Sequence, residues 1–247
     1  MPEACGCAGR RGFLLGLACF AATRPAAAQD RAPTNRPVPG SDGRNLCPEA
    51  PPRVAVRVVP VNPAFDDRVS SVDLLRIMNE DRGGEGAVTD HGQRPAGLTV
   101  SRFRTDTTVQ IAGNSRPDTR QACVGTAGID VTVTMDTHRI YVARDMTDPR
   151  TCRRDVVLDH ENRHARINLD CLDDARANIH AALLRQLPTL GWIEGRNLDA
   201  NAANAEFLQK IRPMVREHLS AAVGRARARH AAMDSNEAYR RDWGRCG

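Results

Sequence analysis

Along this chain the apolar positions change rhythm: between residues 53 and 143 they alternate or cluster in short runs, and beyond residue 155 they recur every three or four residues. Val54-Ala55-Val56-Arg57-Val58-Val59 predicts a strand, and Val69 to Met78 a short helix with Ser70 or Ser71 as its cap. Residues 81–96, with Gly83, Gly84, Gly86, Gly92 and Pro95, predict a loop. Strand-like runs follow at Leu98 to Arg104 and Thr107 to Ala112, and the alternation of Ile129 to Met135 is the clearest of all. Asp136-Thr137 is expected to turn that strand into His138 to Ala143 as a β-hairpin.

The C-terminal half reads as helix. Leu169, Leu172, Ile179, Leu183 and Leu187 mark one buried face of a helix from about Asp155 to Leu187, ended by Pro188 and a loop over Leu190 to Gly195. A second helix is expected from about Asn201 to Ala232, with Pro213 as a point of kinking. Two helices joined by a short loop pack antiparallel. The expected class is therefore α+β: an N-terminal antiparallel sheet, then a long helix packed antiparallel on a second long helix.

The first long helix carries His160-Glu161-Asn162-Arg163-His164, an H-E-x-x-H sequence. Residues i and i+4 of a helix lie on one face, so both imidazoles can reach one metal ion, with Glu161 beside them as the base that takes a proton from an activated water. Val156-Val157-Leu158 give the motif an apolar approach. The bland alternative is a charged surface helix, because Arg153, Arg154, Asp155, Asp159, Arg163 and Arg166 crowd the same segment and suit i,i+4 ion pairs.

At the N-terminus, Arg10-Arg11-Gly12-Phe13-Leu14-Leu15 leads into an apolar stretch to Ala22, and Ala26-Ala27-Ala28 before Gln29 follow as a small-residue cleavage site, the layout of a signal peptide over residues 1–28. The paired arginines before Phe-Leu resemble the twin-arginine class, which implies the twin-arginine export machinery as a partner and a periplasmic or secreted product. Residues 29–52, rich in Pro, Arg, Asn and Asp, read as a flexible leader, and 53–247 as one domain. Without residues 1–28 the formal charge falls from +5 to +3, almost all of the positive charge being arginine, a mild excess that gives no case for nucleic acid. No later apolar run approaches the length needed to span a bilayer.

Aromatic content is 4%, so the core is expected to rest on Val, Ile, Leu and Ala, with Trp192 and Trp243 as isolated anchors. Cys47, Cys123, Cys152, Cys171 and Cys246 follow the signal segment, in a compartment where disulfides persist. The expected pairs are Cys47 with Cys123, and Cys171 with Cys152 or Cys246.

Strands just before an H-E-x-x-H helix resemble the order of elements in zincin zinc peptidases. That resemblance implies Zn2+, a peptide or protein substrate and hydrolysis of the peptide bond. A catalytic zinc takes a third protein ligand. The metzincin position is Asp170, but Ile167 replaces the turning glycine, and on an unbroken helix Asp170 lies roughly 15 Å along the axis from His160. The gluzincin branch draws an acid from the following helix. Folding the helical hairpin nominates the tail, with Asp234 and Glu237 first and His230 behind them, whereas Glu194 and Glu206 fall at the far end. The tail Met233-Asp234-Ser235-Asn236-Glu237-Ala238-Tyr239 also resembles, loosely, a C-terminal element of uncharacterised secreted bacterial proteins described as zinc proteases. Their Tyr-Asp is reduced here to Met233-Asp234, and Glu237 and Tyr239 stand in the places of their threonine and histidine. The rival class is a non-catalytic envelope protein, a binding or scaffold module with a structural metal or none; a closed four-ligand site would favour it.

Overall fold

The computed structural model describes residues 5–6, 46–47, 51–81, 94–146, 148 and 152–246. The signal-peptide and leader readings fall almost wholly outside these. Among the described residues the chain is mixed α and β, with one six-stranded sheet and four α-helices. In chain order these are β1 (Cys5–Gly6), β2 (Arg53–Val59), β3 (Ala64–Asp66), α1 (Ser71–Asp81), β4 (Gly97–Ser115), β5 (Gln121–Val142), α2 (Cys152–Leu190), β6 (Trp192–Arg196), α3 (Ala200–Met233) and α4 (Asn236–Trp243), with a 3-10 turn over Gly244–Cys246.

The sheet is not antiparallel throughout. Long β5 is its spine: β4 and β6 pair antiparallel to it, but β2 and β3 pair parallel. The cause is the path of the chain. β2 and β3 follow one another along one edge of β5, separated by Pro60 and Pro63, which lack the N–H that a ladder needs. The chain then reaches the opposite edge through α1, and the β4–β5 reversal brings β5 back in the direction of β2.

The expected hairpin at Asp136-Thr137 is a bulge instead. Arg102 pairs with Thr137 and Phe103 with Met135, so Asp136 is the extra residue and β5 runs on through it. The reversal lies upstream, after Ser115, where Arg116 N–H donates to Gln121 O and Arg120 takes a left-handed φ of 56°. A second expected loop, over Leu190 to Gly195, is strand β6, whose Trp192–Arg196 pair with Gly125–Gln121. α2 runs past Pro188 to Leu190 and ends at Gly191, whose φ of 61° suits a residue without Cβ.

On one face of β5, Ile129, Val131, Val133 and Met135 are fully buried, against Leu172, Ala175 and Ile179 of α2 and Phe207, Ile211 and Val215 of α3. A smaller cluster joins Leu74 of α1 to Val100, Tyr141 and Ala143. Phe207 and Phe103, not the half-buried Trp192 and Trp243, are the large aromatic residues of the main core. Ion pairs from Arg229 to Asp170 and from Arg225 to Asp174 show that α2 and α3 run antiparallel.

Two disulfides close the structure, Cys47–Cys123 and Cys152–Cys246. Cys171 joins neither. It is buried in the middle of α2, some 28 Å along the axis from Cys152 at about 1.5 Å per residue, whereas the turn after α4 returns the chain end to the start of α2. Among the described residues, no helix is long and apolar enough to cross a membrane.

Candidate metal centre

His160, Glu161 and His164 lie in the third and fourth turns of α2, all three buried. Helical spacing turns the two imidazoles to one side, their Nε2 atoms 3.0 Å apart. Asn162, between them, is exposed.

At the end of α3, Asp234 serves in two ways with different atoms. Its backbone N–H donates to His230 O as the helix C-cap, and its carboxylate reaches across to α2. Oδ1 lies 3.1 Å from His160 Nε2 and 3.0 Å from His164 Nε2. Glu237, in the first turn of α4, is exposed and does not join this group. Ser235 accepts from Ala238 N–H and so starts a new helix directly after Asp234.

The three donor atoms therefore form a nearly equilateral triangle. Corners about 3 Å apart lie roughly 1.8 Å from their common centre, a spacing that would let all three donors hold one ion at the ~2.0–2.2 Å typical of zinc with nitrogen and oxygen donors. The chemistry of the set agrees with the geometry: two imidazoles and a carboxylate with no basic side chain between them attract positive charge. Burial works against charging His160, but the hydrogen bond and charge of Asp234, with Glu161 nearby, raise its pKa above the ordinary value. Burial also opposes ionisation of Asp234, yet the two imidazoles its carboxylate faces outweigh it and hold that carboxyl well below the usual range. Asp234 keeps 46% of its side-chain surface exposed, so the triangle opens to solvent on that side.

Glu161 sits on the sheet side of the motif. Thr99 Oγ1 lies 2.8 Å from its Oε2 and 3.0 Å from its backbone oxygen. Gly97 provides the clearance: a Cβ there would lie 2.6 Å from Glu161 Oε1 and 2.7 Å from its Cγ. Burial pushes the Glu161 pKa up, against the lowering effects of His164, Thr99 and His160.

The tail surrounds the other side. Asp242, buried in α4, lies 3.4 Å from His160 Nδ1 and pairs closely with Arg163. Burial raises its pKa, but Arg163 and His160 hold it below the ordinary value, so it is the carboxylate that accepts from His160 Nδ1–H. Tyr239 stacks on the His160 ring at 5.1 Å between centroids. The Cys152–Cys246 bridge and an Arg245–Asp159 ion pair fasten this tail to the start of α2.

His230 comes close without joining the triangle. It lies behind His164, Nδ1 to Nδ1 at 2.6 Å, and burial above all lowers its pKa to about 4, leaving the ring neutral. Asp170 is on the surface with Arg229, and His180 is exposed. His138, which directly follows the expected Asp136-Thr137 turn, is a buried β5 residue whose Nδ1 contacts Val61 O.

Gly97, Thr99, Asn168 and Asp242 also belong to the site, although no motif in the sequence marks them. The first two reach the motif only through strand-to-helix packing 62 residues apart in sequence for Thr99. Asn168, one turn beyond His164 on the same buried face, carried a visible signal as a polar residue at an apolar position. A second group, Cys47, Cys123 and Glu194, also brings potential ligand atoms together, but its two sulfurs are already joined as a disulfide. No protein-family model, no curated protein and no solved structure matches this chain, so its site has to be read from its own residues.

Proposed function

We propose that this protein is an exported zinc-dependent metallopeptidase of zincin type, with His160, His164 and Asp234 as the metal ligands and Glu161 as the general base. The observation that carries the reading is the approach of Asp234 Oδ1 to within 3.0–3.1 Å of both motif Nε2 atoms, while His230 is turned to the back of His164. Three converging ligands with a solvent-facing side suit a catalytic centre; a structural zinc has four ligands and is closed. Bound zinc would supply Lewis acidity, polarising a carbonyl and lowering the pKa of water.

The chain's own residues carry the proton. Glu161, buried and with its pKa raised by that burial, accepts it from the attacking water. The Thr99 hydroxyl has one proton and two acceptors within reach, and this matches both states of Glu161. With the carboxylate ionised, Thr99 donates to Oε2. Once Glu161 holds the proton, the hydroxyl turns to the Glu161 backbone oxygen and accepts from the carboxyl group. Asp242 orients His160 from behind, and the disulfide-fastened tail keeps Asp242 and Tyr239 in place. Export is supported by the twin-arginine-like leader in the sequence and by the two disulfides.

The alternative is a non-catalytic binding or scaffold protein with a structural metal or none. Glu161→Gln separates the readings. The expected variant binds zinc as the wild type does and loses peptidase turnover; wild-type turnover in that variant would remove Glu161 from the mechanism.

A further inference from the structure

Behind His164, on the side away from Asp234, buried polar groups form a chain between α2 and α3. His164 Nδ1 is 2.6 Å from His230 Nδ1, and His230 Nε2 is 3.0 Å from Asn168 Oδ1. Asn168 is 3% exposed and stands one helical turn after His164. Two ring nitrogens this close need one proton between them, because two bare lone pairs repel and two N–H groups collide. The amide oxygen of Asn168 only accepts, so the proton of His230 belongs on Nε2. The two groups His230 contacts among the described residues, His164 and Asn168, are not anions, and a neutral ring with its proton on Nε2 has a bare Nδ1. That bare nitrogen can only accept, so the proton between the two rings is carried by His164.

We propose that Asn168 and His230 are positioning residues that hold His164 as its Nδ1–H tautomer, so that its Nε2 faces Asp234 as an open lone pair. The inference deepens the metal reading above and rests on it for its purpose, though not for its geometry. It opposes a local pull: the Asp234 carboxylate, 3.0 Å from His164 Nε2, would otherwise draw the imidazole proton to that nitrogen and block it as a ligand. Asp242 performs the same task for His160 with a carboxylate. For His164 the task falls to a neutral relay, which adds no further negative charge to a buried region.

The test uses the whole protein labelled with 15N-histidine, with His230 followed by long-range 1H–15N correlation before and after addition of zinc in wild type and Asn168→Leu, and zinc affinity measured by chelator competition for both. Wild-type His230 is expected to carry its proton on Nε2 in both states. Asn168→Leu is expected to lose about 10- to 100-fold in zinc affinity, the range for removing an outer partner of a ligating histidine, and to release the His230 proton from Nε2, a shift that a packing role alone does not produce. The proposal is overturned by a wild-type His230 protonated on Nδ1, or by Asn168→Leu binding zinc as tightly as wild type. Should Asn168→Leu fail to fold, the wild-type tautomer still decides. A wild type that takes up no zinc refutes the metal reading by itself, because the His230 tautomer is also read in the metal-free protein.

Discussion

Gly97→Ala probes the contact between sheet and motif helix with a single methyl group. Its Cβ would meet Glu161 Oε1 at 2.6 Å, Glu161 Cγ at 2.7 Å and Val157 Cγ1 at 2.8 Å, all well inside the ~3.5–4.0 Å of an ordinary carbon contact. Two responses are open. If α2 retreats from β4, the cost is that of overpacking, about 1–3 kcal/mol, which for a domain of this size lowers Tm by roughly 2–12 °C. If Glu161 swings aside instead, it leaves Thr99 and the water it must deprotonate, and a displacement near 1 Å costs on the order of 100-fold in turnover. Thermal denaturation of the zinc-loaded protein and a peptidase assay on the same preparation read both responses. The expected result is a clear loss in at least one, with zinc content unchanged, since the three atoms nearest the added methyl belong to Glu161 and Val157 and to none of the ligands. A variant that melts and turns over as wild type would refute the claim that Gly97 is needed for clearance.

Other outcomes follow from the same geometry. Asp234→Ala should weaken zinc binding by more than the roughly 10- to 100-fold expected for an outer partner, and Glu237→Ala should leave it unchanged; chelator competition measures both, and the reverse order would make Glu237 the ligand. Thr99→Val should lower kcat with little change in KM, by an amount matching the ~1.5–3 kcal/mol of a hydrogen bond to a charged group, and Thr99→Ser should restore it; equal kinetics for the valine and serine variants would show the hydroxyl idle. Cys152→Ser/Cys246→Ser opens a crosslink spanning 94 residues, for which chain entropy gives about 4–5 kcal/mol, and equilibrium urea unfolding should show a loss of that order together with weaker zinc binding as α4 loosens around His160. Retained stability in that double variant would mean that the tail is held by its other contacts.

His160, Glu161 and His164 were legible because a helix converts fixed sequence spacing into a shared face. Asp234 was reachable, but not separable from Glu237, because folding the helical hairpin locates its end only to within a few residues. What separates them is Ser235, which caps α4 and turns the chain just after Asp234. α4 itself is eight residues, polar and short, and its one buried acid, Asp242, has no partner near it in sequence. In the sheet, Asp136-Thr137 carries the residues of a turn, yet register with β4 makes Asp136 a bulge. Trp192–Arg196 becomes a strand only because the edge of β5 is there to receive it. Such features depend on residues distant in sequence, which periodicity along one segment does not record.

The most direct test of the metal centre is zinc content by elemental mass spectrometry on the mature protein purified without added metal, beside His160→Ala/His164→Ala. The account predicts about one zinc per chain, in keeping with the one triangle of free donor atoms among the described residues, and its loss in the double variant. Absence of zinc from the wild type even after reconstitution, or equal zinc in both proteins, would contradict it.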